Sequence, residues 1–403
     1  MSPLRFGAFL APHHPIGENP ILQFQRDLDF VEHLDRLGFD EFWCGEHHSS
    51  GWEMIASPEM FLAAAAQRSH RIMLGTGVVS LPYHHPFNVA QRMVQLDHMS
   101  GGRAIFGTGP GALPSDAHTF DIDPMVLRDR QDEALGVILR LLRGEPRFSC
   151  ETDWFTMKDA QLQLLPIQHD MKAAVASMVS PSGMTLAGKH GVGVLSIGSM
   201  AAEGINALPT QWQFAEDAAA SSGAVVDRAE WRVVVNFHLA ETRELAQSQA
   251  RHGLQRWHNE YIVGTLQRVG AVAYDDPDEA VDAICGGAET SAVTRSAVVG
   301  TPDDLVTFLR EMYEVTGGFG TVVGFVHDWA NPADTFNSWD MVARYVVPEI
   351  NGYLGGLRES QRFVSTERGA FERAGQAILS KIMENDRAAE ALKITQQQAA
   401  AAD

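Results

Sequence analysis

The chain is poor in cysteine and in lysine. Its three cysteines (Cys44, Cys150 and Cys285) lie far apart among 403 residues, with no CxxC pair. That pattern argues against a disulfide framework and for a reducing, cytoplasmic setting. Only five lysines occur, and 31 Lys plus Arg against 51 Asp plus Glu leave a formal net charge of −20. Such a balance argues against nucleic acid or an anionic membrane surface as the main partner. No apolar run of about 18 residues exists, so no transmembrane helix is expected. The opening Met-Ser-Pro-Leu-Arg-Phe-Gly leads into a strand-like segment without a signal peptide's apolar stretch. GxxxxGK[ST], HxH and HExxH are all missing, which disfavours nucleoside triphosphate hydrolysis and the commonest zinc sites.

What is present is a core-forming composition, 45% hydrophobic and 20% charged, in an alternating pattern. Strand-like runs at Arg5–Ala11, Phe39–Cys44, Arg71–Leu81, from Arg103, Ala173–Met178, Val192–Ile197, Arg232–Phe237 and Thr321–Val326 are separated by helical periodicities. Among the latter are Pro20–Leu37, Pro58–Arg68, Pro86–Met99, Leu127–Leu142 and Pro181–His190. Eight strands in a βα rhythm predict a closed (β/α)8 barrel over residues 1–350. Two insertions interrupt it. The stretch 144–166 reads as short strands, and 271–298 reads either as a lid over the barrel mouth or as a solvated loop. Residues 351–403 are predicted to be a polar, helical C-terminal extension with a frayed end.

In such a barrel the chemistry sits at the C-terminal ends of the strands. Those ends carry Pro12-His13-His14-Pro15, Gly45-Glu46-His47-His48, Gly77-Val78 through Tyr83-His84-His85-Pro86, Gly107-Thr108-Gly109-Pro110-Gly111, and Ser177-Met178-Val179-Ser180-Pro181-Ser182-Gly183. Glycines allow close backbone approach to a ligand, and histidines titrate near neutral pH. A single His-Pro pair is more often a cap or packing residue, but three His-His pairs at successive strand ends converge on one mouth. The GTGPG run lacks the last glycine of a dinucleotide fingerprint and reads equally as a tight turn. Ser180 is predicted to cap a helix with Pro181 in its first turn, where free amides suit a phosphate. Arg128 is the candidate cation there, its competing reading a surface arginine beside Asp129 and Asp132. Phe9, Trp43, Trp52, Met54 and Tyr83 fall near the same mouth, as substrate wall or as ordinary core.

These residues carry a resemblance. Trp43-Cys44-Gly45-Glu46-His47-His48, Leu74–Pro86, Leu96-Asp97-His98-Met99-Ser100-Gly101-Gly102-Arg103 and Phe106–Gly111 together resemble the bacterial luciferase-like flavin-dependent monooxygenases, most closely the limonene 1,2-monooxygenase-like branch. The resemblance runs from Leu4 to about Gly320. It implies a (β/α)8 barrel that takes reduced FMN (FMNH2) from a separate NAD(P)H-dependent flavin reductase, with FAD or F420 as lesser choices. It further implies O2 addition at flavin C4a and transfer of one oxygen to a hydrophobic terpene-, ketone- or aromatic-like substrate. By motif match, His47, flanked by Glu46 and His48, is the catalytic histidine. Gly77 and Val78 back the flavin ring by a segment that often holds a non-proline cis peptide. Gly109, Gly111, Arg128, Ser177, Met178, Ser180 and Ser182 surround the cofactor, and His13, Trp52, Tyr83 and His85 are weaker pocket candidates. The family's cysteine and arginine are replaced here by Gly109 and Pro110, so Arg128 and the Ser180 segment must supply more of the phosphate contacts. A homodimer or homotetramer is the family expectation. The competing readings are an F420-dependent dehydrogenase of the same superfamily, a metal-dependent barrel hydrolase and a non-catalytic flavin-binding subunit. Metal ligands are not expected.

Overall fold

The computed structural model describes residues 2–11, 13–198, 202–268, 270–286 and 295–400. Eight parallel strands close into a barrel: β1 (Arg5–Leu10), β2 (Glu41–Cys44), β3 (Met73–Thr76), β4 (Ala104–Gly109), β5 (Ala173–Ser177), β6 (Gly193–Ser196), β7 (Trp231–Leu239) and β8 (Thr321–Phe325). Each pairs with the next in chain order, and β8 returns to β1 with Arg5 opposite Thr321 and Phe9 opposite Phe325. The barrel interior is filled by Phe9, Trp43, Ile105, Ala174, Leu195, Val234, Val323 and Phe325. Trp43 is fully buried because its neighbours yield space: a Cβ on Gly75 would lie 2.5 Å from its ring. At the N-terminal end of the barrel, Arg232 makes a two-pronged contact with Glu41, Nε to Oε2 at 2.6 Å and Nη2 to Oε1 at 3.0 Å. This joins β2 to β7 across the interior through a desolvated ion pair.

The surrounding helices are α1 (Pro20–Leu37), α2 (Pro58–Ala66), α3 (Pro86–Ser100), α4 (Leu127–Leu142), α5 (Ser182–His190), α6 (Ala202–Ser222), α7 (Arg243–Arg256) and α8 (Pro302–Thr316). Their limits follow from capping chemistry. Asn19 accepts from the Ile21 amide ahead of Pro20, and Gly38 ends α1 at φ 88°. Thr301 and Asp304 form a capping box at the start of α8.

Two segments depart from the sequence expectation, and a third, 144–166, keeps to it as short strands. The Arg71–Leu81 run is two strands, β3 and the two-residue Val79–Ser80, separated at a cis Gly77–Val78 peptide. The 144–166 excursion is an antiparallel hairpin of Phe148–Glu151 with Thr156–Ala160. Within 271–298, Pro277–Cys285 is a helix, while Ala297–Gly300 extends the sheet by pairing with the second half of β7. Residues 287–294 of that stretch, expected to be a lid or a solvated loop, lie outside the described residues. Around the Pro277–Cys285 helix a satellite core gathers Trp52, Trp257, Tyr261, Ile284 and Trp329.

The chain divides into two compact units, Met1–Asn351 and Gly352–Asp403. The second consists of the helices Gly355–Thr366, Arg368–Met383 and Asp386–Ala400. No helix among the described residues is long and apolar enough to cross a membrane.

Candidate active site

The C-terminal strand ends open onto a cavity of about 820 Å³, lined by residues of β1, β4, β5 and β8, the loop after β2, the start of α5, and the helical turn Trp257–Thr265 that continues α7. His47 follows β2 and lines this cavity. Its Nδ1 is 3.1 Å from Asp116 Oδ2, and its Nε2 is 3.3 Å from Glu53 Oε1. Asp116 also accepts from the His48 amide at 3.1 Å and from the Ser49 hydroxyl. Burial works against ionisation of Asp116, but the His47 and Ser49 hydrogen bonds hold its carboxyl below the usual range. An ionised Asp116 can only accept, so His47 Nδ1 carries a proton and Nε2 is the nitrogen left for chemistry. Burial likewise disfavours the imidazolium, yet the carboxyls of Glu53 and Asp116 raise His47 above an ordinary histidine. Glu53, 4% exposed, is itself pushed up by burial.

At the other end of the cavity lies α5. The sequence reading made Ser180 its cap. In the structure the helix begins at Ser182, Pro181 holds the cap position, and no side chain caps the first turn. Ser180 is instead drawn to Ser182, hydroxyl to hydroxyl at 2.7 Å. The first amides of α5 are therefore open at the positive end of the helix. Arg128, at the start of α4, donates from Nε to Ser182 Oγ at 3.3 Å, and its terminal nitrogens have no partner among the described residues. Arg128, Met178, Ser180, Ser182, Gly183 and Lys189 all line this end, and Lys189 is paired with Asp132.

The other sequence candidates divide. Gly77, Val78, Gly109 and Gly111 line the cavity, as do Glu46 and His13. A Cβ on Gly109 would come within 2.6 Å of Val78 Cγ2, so glycine is required for this wall to close up. Ser177 is buried and donates to Gln211 Oε1 at 3.3 Å, away from the lining. His48 does not line the cavity. Its Nε2 and that of His84 both meet Glu46 Oε1 at 2.9 Å, while the Ser80 amide reaches Oε2. Glu46 is thus an ionised clamp: burial opposes its charge, and the two histidine hydrogen bonds outweigh it. Tyr83 stacks on Phe120 with centroids 4.7 Å apart, and burial lifts its hydroxyl to about 12. His85 caps α3, accepting from the Phe87 amide, and Trp52 sits in the satellite core. Of the three His-His pairs, then, His13 and His47 alone line the cavity. His14 faces Asp27 at 2.6 Å.

Sequence reasoning missed Glu53, Asp116, Trp257 and Tyr261. Glu53 had a local signal, an acidic residue six positions after His47 in the same loop. Asp116 and the two aromatics had none, because they arrive from a short helix (Pro114–Thr119) and from the turn after α7.

A parallel eight-stranded barrel with a histidine–carboxylate pair at the C-terminal ends of its strands has the layout of a barrel enzyme. The family model for luciferase-like monooxygenases matches residues 4–318, and the chain belongs to that family. It is 46% identical over 386 residues to limonene 1,2-monooxygenase of Rhodococcus erythropolis, covering 95% of this chain and 97% of the relative. It is 45% identical over 373 residues to 4-hydroxyprotoasukamycin monooxygenase of Streptomyces nodosus subsp. asukaensis, covering 92% and 98%. Among solved structures, the oxygenating constituent of 3,6-diketocamphane monooxygenase from Pseudomonas putida, a type II Baeyer–Villiger enzyme in complex with FMN, shares the fold. Its TM-score is 0.71 at 24% identity, over 86% of this chain and 98% of that one. The chain is an enzyme, a monooxygenase of the luciferase-like kind.

Proposed function

We propose that this monooxygenase works in the cytoplasm with reduced FMN delivered by a separate NAD(P)H-dependent reductase, and inserts one atom of O2 into a hydrophobic small molecule. The observation that carries the reading is one cavity with His47 at one end and an open anion site at the other. The residues fit FMN. The uncapped amides of α5, the Ser180 and Ser182 hydroxyls and the free terminal nitrogens of Arg128 suit a phosphate dianion. The side-chain nitrogen of Gln131, buried on the cavity wall without a hydrogen-bond partner among the described residues, would suit a polar edge of the ligand. When bound, reduced FMN would supply the electrons that activate O2.

In this reading the chain's own residues bind, orient and protonate. Arg128 and α5 would anchor the phosphate. The Gly77–Val78 segment and Gly109 would form the wall behind the flavin ring. Phe9, Trp257 and Phe325 would exclude water from the reacting centre. His47, its Nδ1 held by Asp116, would present Nε2 to the oxygen being transferred and give it a proton or hydrogen bond. A turnover with FMN, NADH, a flavin reductase and 18O2, over terpenes, ketones and phenols, tests this. Incorporation of one 18O into an organic product is expected. No incorporation, with F420 reduced by an alcohol instead, would overturn it.

A further inference from the structure

Neighbouring side chains on the cavity wall, His13 and Glu53, each carry a buried polar atom with no partner among the described residues. His13 and Glu53, each 4% exposed, face one another across a two-residue antiparallel bridge between the loops after β1 and β2. His13 Nδ1 accepts from Trp257 Nε1 at 3.3 Å, which places the ring's proton on Nε2. Burial keeps this ring neutral, helped by the nearby His47, His14 and His327. His13 Nε2 lies 3.6 Å from Glu53 Oε1, beyond hydrogen-bond reach, and has no partner among the described residues. Glu53 Oε1 faces the Tyr261 hydroxyl at 2.9 Å and His47 Nε2 at 3.3 Å, while Oε2 has no partner among the described residues. The surroundings are aromatic: the His13 ring meets Tyr261 edge-on at 4.0 Å and Phe325 at 5.1 Å between centroids.

An unpartnered N–H and an unpartnered carboxyl oxygen inside an apolar wall are costly unless a ligand engages them. We propose that His13 Nε2 and Glu53 Oε2 form a substrate subsite for one neutral oxygen function, a hydroxyl or carbonyl, on an otherwise apolar molecule. A carbonyl oxygen accepts from His13 Nε2–H, and also from the Glu53 carboxyl when burial keeps that group protonated. A hydroxyl accepts from His13 and exchanges its own hydrogen with Glu53. Because Glu53 also touches His47, the subsite sets which carbons lie beside the reacting centre. The inference deepens the monooxygenase reading above and rests on it for the identity of the cavity.

The test compares binding of carvone with binding of limonene, two terpenes of like size that differ by one carbonyl. Quenching of tryptophan fluorescence in the FMN-loaded protein reports both, and FMN affinity is measured on the same samples. The native protein is expected to bind carvone at least about tenfold more tightly than limonene. His13→Phe and Glu53→Leu should each erase most of that preference while limonene binding holds or improves, and Glu53→Gln, which keeps a donor, should restore it. Equal affinity of the native protein for the two terpenes would overturn the proposal, as would equal losses for both in His13→Phe. FMN that fails to bind the native protein would instead overturn the flavin reading.

Discussion

At the scale of single residues, the site turns on His47 and the two carboxyls that grip it. His47→Ala keeps the phosphate end intact, so FMN should bind with an affinity within about threefold of native, an assumption of independent, distant sites. Reduced flavin should then be spent as hydrogen peroxide with little product, and a peroxide assay beside product analysis checks this. The pH dependence has a definite sign. His47 is raised in the folded protein, so the stability it contributes is present in full below its unfolded value near 6.5 and is lost as pH rises through the folded value. The proton-donating limb of the rate should fall over the same range. Asp116→Asn removes one of the charges that raise His47, so that limb should move to lower pH by about one unit; a limb that stays in place would remove Asp116 from this role. His47 was legible because it lies in a dense local motif. Its partners Glu53 and Asp116 were not marked as such, since a carboxylate 69 positions away meets His47 only after β2 and the Pro114–Thr119 helix are set side by side.

Elements decide where the anion site lies. The α4 helix of Leu127–Leu142 and the close of α5 at Gly191 could be read directly, from apolar spacing and a left-handed glycine cap. The start of α5 could not, because Ser-Pro-Ser fits a capped helix as well as the open one observed, and only the backbone path tells them apart. That open turn depends on Gly183, whose added Cβ would come 2.4 Å from the Ala176 carbonyl oxygen. Gly183→Ala should therefore push α5 off β5 and weaken FMN binding by about tenfold, in line with overpacking costs of roughly 1–3 kcal/mol. Equilibrium dialysis against FMN measures it directly. Arg128→Ala should lower the same affinity without moving the helix. The strand Ala297–Gly300 was missed for a different reason. Four apolar residues next to a helix cap are too few to show a period.

For the whole molecule, the alternation of strands and helices favoured a closed barrel over an open sheet, because eight strands in a βα rhythm are the number that closes one. What holds the barrel's lower end was not visible in the sequence. Glu41 and Arg232 are 191 positions apart, and each looks like a surface charge until β2 and β7 face one another across the interior. Arg232→Ala leaves Glu41 buried with only Arg5, 3.8 Å away, as a counter-charge and should cost about 3 kcal/mol in denaturant unfolding. Replacing both partners by leucine should recover most of it. A loss no larger than that of a surface arginine would show that the pair does not brace the barrel.

The central claim is that this cavity holds reduced FMN and controls its reaction with O2. The most direct measurement mixes the anaerobic protein–FMNH2 complex with oxygenated buffer and follows the absorbance of oxidised FMN. A lag of seconds or longer before oxidised FMN appears is expected, shortened by His47→Ala. Reoxidation as fast as that of free FMNH2, with no difference between native protein and variant, would contradict it.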